Sequence, residues 1–308
     1  MKIIQNLADY HNSDPLALTL GMFDGVHLGH VSIINQLKKS AQEKKLIPAI
    51  LSFWPHPRKI LNPNEEIKLL TTLEEKLMLL DKMGIEKIFL QTFDENFRNL
   101  SGEDFVHQIL LEKLHVEHLV IGHDHTFGKN KSGNFELLIR MSKKYNFGIQ
   151  QLNALQIDQL NVSSTKIRKA LENGHIREAN KMLGYSYFVS GKVIKGSQLG
   201  RNIGFPTANI QVDSTKLLPK NAAYIVKVKV EEKYYFGMLN IGLRPTVDGK
   251  KLQTEVFILD FNQNIYGKTI TLEFIDFLRN EKKFNSLEEL KAQLERDKET
   301  LQNYIIME

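Results

Sequence analysis

Leu16-Ala17-Leu18-Thr19-Leu20-Gly21-Met22-Phe23-Asp24-Gly25-Val26-His27-Leu28-Gly29-His30 is the stretch on which the reading of the fold turns. Its first five residues are a short apolar run ended by glycine, which suits a strand buried on both faces. A glycine-bearing turn follows, and from about His30 to Lys44 the spacing is helical. Such a turn brings backbone N–H groups and the positive end of a helix dipole to one point, a setting for phosphate. His27 and His30, three residues apart at the first helical turn, reach the same side and can meet one phosphate group. Attack on the α-phosphate of ATP spreads charge over its oxygens, and fixed donors there lower the barrier without a covalent intermediate. A lone His-x-x-His is more often surface histidine or half a metal site. Zinc is disfavoured by the missing glutamate of His-Glu-x-x-His and by the lack of cysteine. The surrounding Gly25 and Gly29 favour catalysis.

Outward from this stretch, apolar strands alternate with amphipathic helices. Ile47–Phe53, Lys87–Gln91, Leu119–Gly122 and Ile149–Leu152 read as strands; Thr72–Met83, Gly102–Leu114 and Phe135–Tyr145 read as helices. The alternation predicts an α/β fold, a parallel sheet covered on both faces, with functional loops at the carboxyl ends of the strands. Ser163–Gly184 is a helical join, Ser163 or Ser164 capping a helix through Leu171. Beyond Tyr185 the texture becomes strands. Tyr224, Val226, Val228 and Val230 alternate with Lys227 and Lys229, as Ile270, Leu272 and Phe274 do with Thr269, Thr271 and Glu273. A small barrel is predicted, closed by a helix from about Leu287 to Ile306 with Ser286 and Glu289 as its capping box. The expected domains are residues 1–185 and 186–308.

The bulk composition agrees. A chain of 308 residues suggests two domains, and 42% apolar residues suffice for two cores. The absence of cysteine excludes disulfides, thiolate metal sites and a thiol nucleophile. Met1–Asp14 is polar, and no apolar run approaches the ~20 residues of a bilayer span, so a cytoplasmic protein with no membrane partner is expected. A net charge of +5, from 41 basic and 36 acidic side chains, is compatible with nucleotides or nucleic acid.

Two more segments suit phosphate. Ser163-Ser164-Thr165-Lys166-Ile167-Arg168 offers hydroxyls and cations at a helix start, although a cap alone would account for the serines. Gly196 to Asn209 carries Gly196, Gly200 and Gly204 four residues apart, neither a Walker A loop nor a dinucleotide fingerprint. Thr207 and Asn209, two apart on an extended chain, point the same way and offer hard oxygens of the kind Mg²⁺ takes.

Together these motifs resemble known ones. His27-Leu28-Gly29-His30 with Ser163–Arg168 is similar to the paired signatures of the nucleotidyltransferase superfamily. Phe53-Trp54-Pro55-His56-Pro57 and Ile121–Gly128 resemble further signatures of the bacterial bifunctional riboflavin kinase and FMN adenylyltransferase family, a likeness spanning essentially the whole chain. Gly204-Phe205-Pro206-Thr207-Ala208-Asn209, Asn240–Thr246 and Thr254-Glu255-Val256-Phe257 resemble the riboflavin kinase motifs. The resemblance implies a Rossmann-like nucleotidyltransferase domain followed by a six-stranded kinase barrel. It implies ATP, riboflavin and FMN as substrates, FAD as product, Mg²⁺ as cofactor, no nucleic-acid partner, and a monomer or loose homo-oligomer. It makes His27, His30, Arg168 and Glu255 catalytic, with Glu255 taking the proton of the ribityl hydroxyl. ATP and phosphate would meet Gly21, Phe23, Asp24, Gly25, Gly29, Ser163, Ser164 and Thr165 in the first domain, and Gly196, Gly200, Gly204 and Pro206 in the second. Flavin would meet Phe53, His56, Pro57, Asp124, Phe127, Arg244 and Arg279, and the metal Thr207 and Asn209. Met22, His125 and the strand start Asn221-Ala222-Ala223-Tyr224 depart from the family pattern. The last departure motivates an alternative, an adenylyltransferase with a weak kinase half. The basic pI and the Lys129–Asn134 loop motivate another, a non-catalytic flavin- or RNA-binding regulator.

Overall fold

In the computed structural model, residues 1–12, 14–57, 60, 67–123, 125–152, 162–196, 198–246 and 249–307 are described. Leu16–Leu20 forms strand β2 with all five residues buried, and Ile47–Phe53 forms β3 beside it. Both are near-continuous apolar runs because helices cover each face of the sheet. The chain divides into two compact units, Met1–Ser164 and Thr165–Glu308.

In the first unit, β1 (Lys2–Ile4), β2, β3, β4 (Lys87–Gln91), β5 (Val116–Ile121) and β6 (Gly148–Gln151) form one sheet in the order β1-β4-β3-β2-β5-β6. Every pairing is parallel. The chain moves from β2 to β3 and β4 on one side, then crosses to β5 and β6 on the other. The strand order therefore reverses between β2 and β5, the point at whose carboxyl ends open α/β sheets bind ligands. One face carries a core of Leu16, Leu18, Leu51, Phe89 and Leu119; the other carries Ala17, Ile50, Ile88 and Val120 under Ile34 and Leu37 of helix α1 (Leu28–Lys44). Helix α2 (Leu73–Lys82) begins with a complete capping box of Thr72 and Glu75. Helices α3 (Glu95–Asn99), α4 (Gly102–Asp104, running on as a π-helix over Phe105–Lys113) and α5 (Phe135–Tyr145) complete the layers. Strand β1 and the π-helical register are absent from the sequence expectation. Three residues are too few to show a period, and no residue type marks a π stretch within the helix expected over Gly102–Leu114.

Helix α6 (Ser164–Glu172) starts on the last residue of the first unit, and its remaining residues open the second, followed by α7 (Ile176–Leu183), which ends at Gly184 in the left-handed region. Asn180 of α7 donates to Phe274 O, and Arg177 pairs with Asp276. The strands β7 (Phe188–Ile194), β8 (Thr207–Val212), β9 (Ala222–Val230), β10 (Lys233–Thr246), β11 (Gly249–Ile258) and β12 (Thr269–Asn280) close a barrel in the order β10-β11-β8-β7-β12-β9. Tyr224, Val226, Val228, Leu272 and Phe274 are fully buried, as their alternation predicts. A short helix α8 (Leu199–Asn202) precedes β8. The last helix, α9 (Leu287–Met307), belongs to an apolar cluster in which Leu301 and Leu294 meet Ile225, Met238 and Phe257. Its cap departs from the expected box: Ser286 Oγ accepts from Glu289 N–H at 3.2 Å, but the Glu289 carboxylate reaches the N–H of Asn285 at 3.0 Å.

Candidate active sites

The turn after β2 is held in a costly shape. Phe23 and Val26, neither of them glycine, have φ of 50° and 35°. Left-handed backbone at a large and a β-branched residue persists only where the surroundings impose it. The Asp24 carboxylate accepts from Leu70 N–H at 3.2 Å and Thr71 N–H at 3.1 Å, while Thr71 Oγ1 accepts from Gly25 N–H at 3.2 Å. Ser164 Oγ, one of the hydroxyls expected at phosphate, donates to Asp24 O at 3.0 Å. Thr165 and Arg168 follow on α6, within the second unit.

His27 is the N-cap of α1, and its Nδ1 accepts from His30 N–H at 3.4 Å. The two imidazoles stack with centroids 3.7 Å apart and planes 15° apart. Burial pushes the His27 pKa down to about 4, against a partial upward pull from Asp24. His30 is held well below its ordinary value by burial, then by His27 and Lys76. Both rings are therefore neutral at physiological pH. Because His27 Nδ1 accepts, the proton of the neutral ring sits on Nε2, leaving that atom a donor. His30 Nδ1 is buried with no hydrogen-bond partner among the described residues. A buried polar atom left open at a helix N-terminus is suited to a ligand.

At the other carboxyl ends, rings run in a chain. Phe53 meets Phe93 (5.6 Å) and Phe97 (5.3 Å), Phe97 meets Phe105 (5.8 Å), Phe105 meets Phe127 (5.2 Å), and Phe127 meets His125 (6.1 Å). Phe53 and Phe127 are thus joined through Phe97 and Phe105, which no motif marked. His56 and Pro57 are half-buried in the turn after β3, and Asp124 lies outside the described residues. Lys76, Ser52 and Thr71, buried residues that bond the turn, were not anticipated; the Thr72–Glu75 capping box was the readable sign that this segment begins a helix.

In the barrel, Glu255 of β11 stands opposite Asn209 of β8 and Asn240 of β10; Asn240 stands opposite Ala223, and Ala223 opposite Arg279. These residues form one row around the wall. Thr207, Asn240, Gln253, Glu255 and Arg279 line a cleft of about 620 Å³ beside Leu287 and Leu290 of α9. A second cleft, about 600 Å³, is lined by Arg201, Pro206, Thr207, Asn262 and Tyr266. Thr207 borders both. Asn209 is buried and accepts from Gln253 Nε2. A Cβ on Gly196 would fall 2.1 Å from Asn209 Nδ2, and one on Gly200 would fall 2.1 Å from Phe205 O, so both glycines are needed for close packing.

A family model described as FAD synthetase matches residues 9–166, and one described as riboflavin kinase matches residues 183–305. The chain belongs to the bifunctional riboflavin kinase/FMN adenylyltransferase family. It carries an FMN adenylyltransferase half and a riboflavin kinase half. Proteins named bifunctional riboflavin kinase/FMN adenylyltransferase from Haemophilus influenzae and Listeria monocytogenes are similar to it. The first is 39% identical over 97% of this chain and 98% of its own; the second is 41% identical over 92% and 90%. The Bacillus subtilis protein of that name is 38% identical over 93% and 92%. A crystal structure named as a macrolide-efflux protein from Streptococcus pneumoniae has a TM-score of 0.87 at 29% identity, covering 98% of both chains. Among the described residues no helix is long and apolar enough to cross a membrane.

Within the kinase half, Ala222 and Ala223 are buried and keep their places in the ladder beside Ile241 and Asn240. Arg279, expected at flavin, is committed to an ion pair: its Nε donates to both Asp297 oxygens at 3.0 and 2.9 Å. Arg244 lies on β10 opposite Lys251.

Proposed function

We propose that the two reactions run on separate residue sets, the histidine pair serving adenylyl transfer and the Glu255 row serving phosphorylation. A phosphate oxygen of FMN attacks the α-phosphorus of ATP, forming the new P–O bond as the bond to pyrophosphate breaks. His27 Nε2–H and the His30 ring donate to the oxygens on which charge grows, and the backbone N–H groups of the Gly21–Gly29 turn assist. The stacked, neutral imidazoles at the N-terminus of α1, with His30 Nδ1 left open, carry this reading. The ring chain from Phe53 to Phe127 offers an apolar wall for the isoalloxazine.

In the kinase half, Glu255 accepts the proton of the riboflavin 5′-hydroxyl as that oxygen attacks the γ-phosphorus of ATP and ADP leaves. The cleft beside α9 takes the flavin, and the cleft lined by Arg201 and Tyr266 takes the nucleotide. Thr207 and Asn209 fit Mg²⁺ in chemistry, being hard oxygen donors, with Asn209 packed under Gly196 and held by Gln253. Bound there with ATP, the ion would neutralise phosphate charge. The enzyme draws ATP and riboflavin from the cytoplasm.

A single assay following riboflavin, FMN and FAD by chromatography tests the division. His27→Ala is expected to let FMN accumulate, and Glu255→Ala to block FMN formation while supplied FMN still becomes FAD. Equal damage to both reactions by each variant would overturn it.

A further inference from the structure

Lys76 is a lysine in an unfavourable place. It lies in the first turn of α2, where the helix dipole is positive, and is 3% exposed. An ammonium resists both conditions unless its surroundings require it there. Its Nζ donates to Met22 O at 3.3 Å and to Ser52 Oγ at 3.1 Å, and lies 5.6 Å from the centre of the Trp54 ring. Met22 opens the strained turn after β2, and Ser52 and Trp54 stand at the carboxyl end of β3. The charged and titratable groups around it are Asp24 on the turn and His30 on α1. Glu75, its neighbour on α2, has its carboxylate engaged at Thr72 N–H. The segment before α2 grips the far side of the same turn through Thr71 and Asp24. Lys76 grips the near side.

We propose that Lys76 is a positioning residue for adenylyl transfer: its ammonium holds the Met22 carbonyl, and so keeps the turn that delivers His27 and His30 in its reactive shape. A local rule broken at a buried position, with its bonds directed at a catalytic turn, is the pattern expected where function outweighs stability. The charge beside His30 also favours the neutral imidazole, which suits a ring acting as a fixed donor rather than a titrating acid. Burial lowers the Lys76 pKa to about 8, partly offset by Asp24, so the clamp weakens as pH rises through that region.

The inference rests on assigning adenylyl transfer to the histidine pair, and His27→Ala tests that assignment independently of Lys76. Steady-state kinetics of FAD formation are measured on the full chain from about pH 6 to 10, a range bracketing the buried lysine, with riboflavin phosphorylation as the internal reference. Lys76→Met is expected to lower kcat for FAD formation ~10²-fold, as a misplaced reacting group does, with KM for ATP and FMN changed less than about threefold. Phosphorylation stays unchanged. In the unaltered enzyme kcat falls on the alkaline side; Lys76→Arg restores most of the rate, and its fall is displaced upward because guanidinium stays protonated. A Lys76→Met kcat within about twofold of the unaltered enzyme overturns the proposal. So does an identical alkaline fall in Lys76→Arg and the unaltered enzyme, a comparison that decides the matter alone if Lys76→Met does not fold.

Discussion

Glu255 faces Asn209 directly across the ladder of β8 and β11. Paired residues on neighbouring strands share a face of the wall, so carboxylate and amide are presented together. The expected outcome for Glu255→Gln, which keeps the shape and removes the base, is a loss of riboflavin phosphorylation of about 10²- to 10⁴-fold. FAD formation from supplied FMN stays within about twofold, the comparison being between two rates of one preparation.

The histidine pair gives the reciprocal result. Removing one pre-aligned donor costs about 10²–10³ in kcat, so His27→Ala and His30→Ala are each expected to slow FAD formation by that factor. The double variant is expected to be less impaired than the product of the two, because the stacked rings hold one another. Riboflavin phosphorylation is the control.

Acid stability follows from the same rings. The His27 pKa is about 4 in the folded chain against 6.5 ordinarily, so between those values the unfolded chain binds more protons. Stability contributed by neutral His27 is complete above about 6.5 and is lost as pH falls towards 4. The shift corresponds to about 3 kcal/mol, and His30, lowered in the same direction, adds to it. Urea unfolding of the first unit, followed at Trp54, is expected to show less acid destabilisation in His27→Asn than in the unaltered chain.

Arg279 and Asp297 offer a test of structure against ligand binding. The pair joins β12 to α9, with Asp297 5% exposed, and the carboxylate also accepts from Gln293 Nε2 at 2.9 Å. Asp297→Ala leaves the Arg279 guanidinium, 21% exposed and still donating to Asn280 O, without its carboxylate, so it is expected to cost about 1.5–3 kcal/mol of barrel stability. A double-mutant cycle with Arg279→Ala recovers part of that cost if the arginine is chiefly a tether. If riboflavin affinity falls with Arg279→Ala and stability does not, flavin is its partner.

Much of the fold was readable because local and tertiary preferences agree. The buried strand Leu16–Leu20, the Thr72 start of α2 and the alternation in β9 each carry their own signal. The histidine pair, its glycine turn and the Gly196–Asn209 loop were legible for the same reason, their chemistry being contiguous in the chain. Lys76, Thr71, Phe93 and Phe97 were not. They reach the first site from other segments, and only the order of strands brings those segments to one end of the sheet. The Arg279–Asp297 pair spans the last strand and the last helix, and nothing in the spacing of either residue announces it.

The short strand Lys2–Ile4 has a consequence beyond its size. It pairs with Lys87–Phe89 of β4 and covers what would otherwise be the open margin of the sheet, and the terminal amine of Met1 bonds Asp81 at 2.9 Å. A bare margin there would offer the apolar run Ile88-Phe89-Leu90 as a template for a foreign chain. On that reasoning Lys2–Ile4 would guard the margin, and because the barrel is closed, self-association after their removal is expected to begin in the adenylyltransferase half.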